Sequence, residues 1–154
     1  MISLALFEPD IPQNTGTILR MADCFGVHVD IIEPCGFIFG GVHMKRAGMD
    51  YLNTVDYTLH ASFDDFMIYV KENKKRIVLA TTKTTLNYTD FAFNNNDIIL
   101  MGKESKGVPQ AVHDMVDGKV TIKMIEGKRS LNIAVSCGII LGEALRQNSI
   151  NLSN

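Results

Sequence analysis

The chain has 154 residues, of which 46% are hydrophobic and 21% charged, and its formal net charge is −2. That composition belongs to a soluble globular protein, and the length suits one domain over residues 1–154. It excludes a basic nucleic-acid coat, and no apolar run approaches the ~20 residues needed to cross a membrane.

Residues 2–7 form a short apolar run, the pattern of a strand buried on both faces in a parallel sheet. The strand starts at once, so no secretory leader is expected and the cytoplasm is the default compartment. A loop follows at Asp10-Ile11-Pro12-Gln13. The next helix is expected from Asn14 to about Phe25, with Ile18, Leu19, Ala22 and Phe25 on one face and Gly26 closing it. Residues 27–32 read as the second strand. A glycine-rich loop and a short helix over residues 43–47 come next. Residues 54–59 alternate as a strand, and Ser62 caps a helix to about Glu72. Residues 76–80 and 97–101 are further buried strands. Pro109 opens a short helix to about Met115, residues 119–122 form a strand, and a long apolar helix runs to about Gln147. Ser130 is the expected N-cap of that helix, with Asn132 inside its first turn beside free N–H groups. Alternating strands and helices imply an α/β fold, a mostly parallel sheet with helices on both faces.

The cysteines, Cys24, Cys35 and Cys137, and the four histidines, His28, His43, His60 and His113, are scattered. Neither a disulfide framework nor a metal site is indicated. Three polar or glycine-rich loops follow strands: residues 8–20, 102–107 and 124–132. Ligands of open α/β sheets bind beyond strand C-termini, so neighbouring strands would bring these loops to one site. The stretch Gly102-Lys103-Glu104-Ser105-Lys106-Gly107 lacks the phosphate-loop pattern, and no dinucleotide fingerprint follows the first strand. The loop could equally be a plain strand–helix connection. Arg20 falls among apolar helix residues, as either a snorkelling side chain or a phosphate clamp.

Together these stretches resemble the SpoU-type branch of the SPOUT RNA 2′-O-methyltransferases. Asn14-x-Gly16-x-x-x-Arg20, residues 101–109 and Ser130-Leu131-Asn132-Ile133-Ala134-Val135-Ser136 are similar to its three motifs, in order. The opening residues 6–16, Ile32-Glu33-Pro34-x-Gly36-Phe37, Arg46-Ala47-Gly48-Met49-Asp50-Tyr51 and Glu143-Ala144-Leu145-Arg146-Gln147 resemble the compact subgroup that methylates the tRNA wobble position. Ala134-Val135 and Gly142 depart from the pattern, which favours a small polar pair and an aromatic residue there.

The resemblance implies a deep C-terminal trefoil knot, S-adenosylmethionine as cofactor and a homodimer as working unit. It implies 2′-O-methylation of the wobble cytidine or modified uridine, position 34, of leucine tRNA isoacceptors. By motif, Arg20 faces the target nucleotide, while Asn14, Glu104, Ser130 and Asn132 shape the catalytic site. Backbone around Ala80, Gly102, Gly107, Ile122, Ser130 and Leu131 holds the cofactor. Lys45, Arg46, Lys128 and Arg129 join Arg20 as RNA contacts. Arg20 is a poor base, since a guanidinium pKa lies above about 12; clamping a phosphate and steadying an alkoxide is the simpler role. A ribosomal RNA methyltransferase and a non-catalytic RNA-binding relative stay open as alternatives.

Overall fold

Six parallel strands form the centre of the computed structural model, which describes residues 1–46 and 52–148, without the side chains of His43 and Arg46. The strands are β1 (Ser3–Phe7), β2 (Val29–Ile32), β3 (Tyr57–His60), β4 (Arg76–Ala80), β5 (Asp97–Met101) and β6 (Gly118–Val120). They pair in the order β3-β2-β1-β5-β4-β6, every pair parallel. The sequence order reverses between β1 and β5. That is where an open α/β sheet offers a crevice.

The strand residues alternate between two cores because successive side chains point to opposite faces. Leu4, Leu6, Val29, Ile31, Val78, Ile99, Met101 and Val120 face α1 (Pro12–Phe25) and α5 (Ile133–Gln147). Ala5, Phe7, Ile32, Ile77, Leu79, Ile98 and Leu100 face α3 (Phe63–Glu72) and Val112 of α4 (Gln110–Met115). A short α2 (Val42–Arg46) joins the first layer through Met44. The first layer gains from the contact of α1 with α5, where Gly138 lies so near Met21 that an added Cβ would sit 3.3 Å from its sulfur.

Several boundaries differ from the sequence reading. α1 begins at Pro12, two residues before Asn14, because proline needs no N–H partner in a first turn. β3 runs Tyr57–His60 rather than over 54–59, and β6 stops at Val120. Beyond β6, Thr121 bridges to Asn87 of the β4–β5 connection instead of continuing the strand. The expected helix over 43–47 ends at Arg46, and Ala47 lies outside the described residues.

The N-cap of α5 is Asn132, not Ser130. Asn132 is extended at φ −53°, ψ 138°, and its Oδ1 accepts from the N–H groups of Ala134 and Val135 at 2.8 and 3.3 Å. The helix therefore starts at Ile133, and Ser130 stays in the loop before it. Asparagine caps as well as serine does, so either residue could serve, and the tertiary position of the loop selects Asn132.

Candidate active site

The loops after β1, β5 and β6 meet at the C-terminal edge of the sheet. A chain of side-chain hydrogen bonds ties them together. Asn132 Nδ2 donates to Asn14 Oδ1 at 3.0 Å, and Asn14 Nδ2 donates to Glu104 Oε1 at 3.4 Å. Glu104 also accepts from the backbone N–H of Asp10 at 2.7 Å and of Ile11 at 3.4 Å. α1 has no side-chain cap of its own, since its N-cap position is Ile11. The Glu104 carboxylate, supplied 94 residues away, takes up that role for the N–H groups just ahead of Pro12. Three motif positions are thus joined in one hydrogen-bonded row.

The Gly102–Gly107 loop is closed by Lys103 N–H to Gly107 O at 3.1 Å and Gly107 N–H to Lys103 O at 2.7 Å. Gly107 adopts φ +68°, the left-handed region that favours glycine. A Cβ on Gly102 would meet Gly107 Cα at 2.8 Å. Glycine at 102 is therefore required by the loop's own backbone, whatever a ligand requires. The loop is fastened to the β1 loop a second time. Ser105 Oγ donates to Asp10 Oδ2 at 2.5 Å, and Lys103 Nζ lies 3.3 Å from Glu8 Oε2. The Ser105 hydroxyl, helped by Lys103, holds the Asp10 carboxyl below its usual range. Lys103 is thereby an internal ion-pair partner and a poor candidate for an RNA contact.

Behind this frame lies a cavity of about 580 Å³. Ala80, Gly102, Gly107, Ile122, Ser130 and Leu131 all line it, as do Asn14, Glu104, Asn132 and Arg129. The volume falls in the range of small-molecule sites, about 300–1,000 Å³. Val108, Met124 and Ser136, which fall within the motifs and loops read from the sequence, line the cavity too, and the wall also includes Thr81, His113 and Ile140, which lie outside them. Their signal is tertiary, because each belongs to an element whose neighbours are set by strand order.

Arg20, Lys45 and Lys128 lie outside that wall. Arg20 is exposed on α1, about 9 Å along the axis from Asn14. Lys128 and Arg129 line an adjoining groove with Lys123 and Thr82, Thr84 and Thr85. Among the described residues, Lys45, Lys106, Lys128 and Arg129 carry no ion pair. The side chain of Arg46 lies outside the described residues.

No cysteine offers a nucleophile here. Cys35 is half-buried, and desolvation together with Glu33 and Glu104 pushes its thiol up to about 12. Among the described residues, no group of three or more His, Cys, Asp or Glu side chains could hold a metal ion. No described helix is long and apolar enough to cross a membrane.

The fold is shared with solved RNA methyltransferases, and the chain belongs to the SpoU methylase family, whose SpoU rRNA methylase model matches residues 1–142. A tRNA (cytidine(34)-2′-O)-methyltransferase of Beijerinckia indica is 52% identical over 144 residues, 94% of this chain and 90% of that protein. The Escherichia coli protein of the same name is 33% identical, covering 96% of this chain and 94% of its own length. A solved structure that gives insights into the 2-OH methylation of C/U34 on tRNA is 35% identical, with a TM-score of 0.88 over 96% of this chain and 95% of that one. A SpoU methyltransferase of Streptomyces viridochromogenes in complex with AdoMet is 25% identical, with a TM-score of 0.84 over 96% of this chain and 60% of its own.

Proposed function

We propose that this chain transfers a methyl group from S-adenosylmethionine to the ribose 2′-hydroxyl of the wobble nucleotide, position 34, of tRNA. The observation that carries the reading is the Glu104–Asn14–Asn132 hydrogen-bonded row in the wall of a cavity of about 580 Å³. Its relatives at 52% and 33% identity are tRNA (cytidine(34)-2′-O)-methyltransferases over nearly their full length, which favours tRNA over ribosomal RNA. Leucine isoacceptors as the substrate set rest on the sequence resemblance alone.

The residues present fit the cofactor. The cavity is walled by apolar Ala80, Ile122 and Leu131, while glycines at 102 and 107 leave backbone groups accessible. Bound there, S-adenosylmethionine supplies a methyl on a sulfonium, already a good leaving group. The protein's task is then positioning. Glu104 accepts two backbone N–H groups and the Asn14 amide, so it anchors the site and is not free to act as a base. Asn14 and Asn132 present a fixed amide pair in the cavity wall. Arg20 clamps the phosphate of the incoming nucleotide and steadies the developing alkoxide. Ser130, in the loop before α5, is left to contact ligand rather than to cap. Arg129, Lys128, Lys45 and Arg46 contact the RNA backbone.

We assign a trefoil knot to the C-terminal part of this one domain. Helix α5 packs against β5 and against the 3-10 turn Tyr88–Asp90 of the β4–β5 connection. Gln147 at its end binds Phe93 N at 2.9 Å and Phe91 O at 3.0 Å, a contact suited to a helix drawn through that connection. A cytoplasmic homodimer completes the reading. Mass spectrometry of nucleosides from tRNA of a deletion strain tests it: loss of 2′-O-methyl nucleosides at position 34 is expected. Unchanged tRNA beside undermethylated ribosomal RNA would contradict it.

A further inference from the structure

Beside the cofactor cavity lies a groove of about 840 Å³ between the β4–β5 connection and the loop after β6. The two segments are joined by backbone bonds: Tyr88 N–H donates to Thr121 O and Thr121 N–H to Leu86 O, both at 2.9 Å. Asn87 Oδ1 accepts the Lys123 N–H at 3.1 Å, which fixes the loop as it leaves the sheet. The β4–β5 side of the groove is rich in hydroxyls. Those of Thr84 and Thr85 have no hydrogen-bond partner among the described residues. The other side carries Lys123, Lys128 and Arg129, none of them in an ion pair among the described residues. Asp90 and Glu126 are the carboxylates of the groove, so its charge is positive. Ile125 stands in the same loop, 74% exposed. Thr82, Met124 and Arg129 line both groove and cavity, so the two spaces adjoin.

We propose that this groove holds the nucleotide next to the methylated one, and that Thr84 and Thr85 read its ribose 2′-hydroxyl. The inference rests on the tRNA reading above. The substrate chain leaves the target nucleotide in two directions, so a neighbouring nucleotide must cross the surface that adjoins the cavity. The groove offers a partner for each part of it. Lys123 and Lys128 match the phosphate, and counterion release adds to that contact. Ile125 offers an apolar side chain to the face of the base. A threonine hydroxyl is at once donor and acceptor. The ribose 2′-hydroxyl is both as well, and it is the group by which a protein tells RNA from DNA. None of these side chains lines the cofactor cavity. They therefore govern which chain is held, not the transfer step.

The test compares methyl transfer to three anticodon stem-loop RNAs: one all-ribose, and one with a single 2′-deoxy nucleotide on each side of the target in turn. The wild-type protein should lose about tenfold in kcat/KM, about 1.4 kcal/mol, on one of the two deoxy RNAs. The double variant Thr84→Val, Thr85→Val keeps the shape and removes the hydroxyls. It should lose about tenfold on the all-ribose RNA and treat all three alike. Lys123→Gln should lower the salt slope of RNA binding by about one. Both variants should bind S-adenosylhomocysteine as the wild type does. A wild type that treats the three RNAs alike, a valine pair that still discriminates, or an unchanged salt slope in Lys123→Gln would overturn the proposal. A fall in the light-scattering mass of either variant would assign the groove to a contact between copies and overturn it too. Should the valine pair not fold, the salt slope of Lys123→Gln, an exposed side chain, decides alone. No transfer by the wild type to the all-ribose RNA or to full-length tRNA would overturn the tRNA reading itself, and the proposal with it.

Discussion

At the scale of single residues, Arg20 separates chemistry from binding. It lies outside the cavity wall, on the same helix as Asn14. Arg20→Ala should leave S-adenosylmethionine affinity nearly unchanged and lower methyl transfer by orders of magnitude, each tenfold being about 1.4 kcal/mol of transition-state stabilisation. Arg20→Lys should rescue poorly, because an ammonium lacks the bidentate fork. Single-turnover transfer measured beside cofactor binding checks both variants, and a fully active lysine variant would remove the clamp. Asn132 and Ser130 separate a cap from a contact. Asn132→Ala should cost about 1 kcal/mol of stability through the lost cap, besides breaking the bridge to Asn14. Ser130→Ala should leave the urea midpoint unchanged. The three motifs were legible in the sequence because they combine unusual residue types at fixed spacing. Which of two capping-competent residues caps α5 was not legible, since it depends on where Asn14 stands. The departure at Ala134-Val135 is accommodated for the same reason: Asn132 engages their backbone N–H groups, which every non-proline residue offers.

At the scale of elements, the strands β4 and β5 were readable to the residue. Each is a charged residue, Arg76 or Asp97, followed by four apolar ones, and both lie inside the sheet. The edge strands β3 and β6 were less readable, because an edge needs less apolar sequence and its length is set by its one neighbour. The β2–β3 edge also holds a polar cluster that the sequence scattered. Buried Asp30 receives His60 Nε2 at 2.7 Å, and His28 Nε2 approaches it at 3.4 Å, while His28 Nδ1 lies 3.0 Å from exposed Asp56. The Tyr69 ring lies tilted against His60, with centroids 5.3 Å apart, and its hydroxyl is pushed up by burial and by both carboxylates. Asp30 and, less strongly, Asp56 raise the His28 pKa against the effect of burial. A group with a raised folded pKa stabilises fully below its unfolded value, about 6.5, and loses that contribution as pH rises through the folded value. The urea midpoint should therefore fall as pH is raised from about 6 to 8. His28→Asn should flatten that slope, and an unchanged slope would assign it elsewhere.

At the scale of the whole molecule, the α/β class and the parallel sheet followed from the alternation of elements. The strand order did not, because a single sequence does not say which strands are neighbours. That order brings the three loops together, and with it the cavity wall from α4 and from the β4–β5 connection. The net charge of −2 leaves one chain with only local basic patches for RNA. A two-fold dimer would join the patches of two copies into one surface. Light scattering at micromolar concentration should give twice the chain mass of 17.1 kDa, and a monomer would contradict the assembly.

The most direct test of the account is transfer of a labelled methyl group by the purified protein from S-adenosylmethionine to unmodified and native tRNA, with the product mapped by nuclease digestion and mass spectrometry. The account predicts label on the ribose oxygen of nucleotide 34 and nowhere else in the tRNA. Label on a base, at another nucleotide, or only on ribosomal RNA would contradict it.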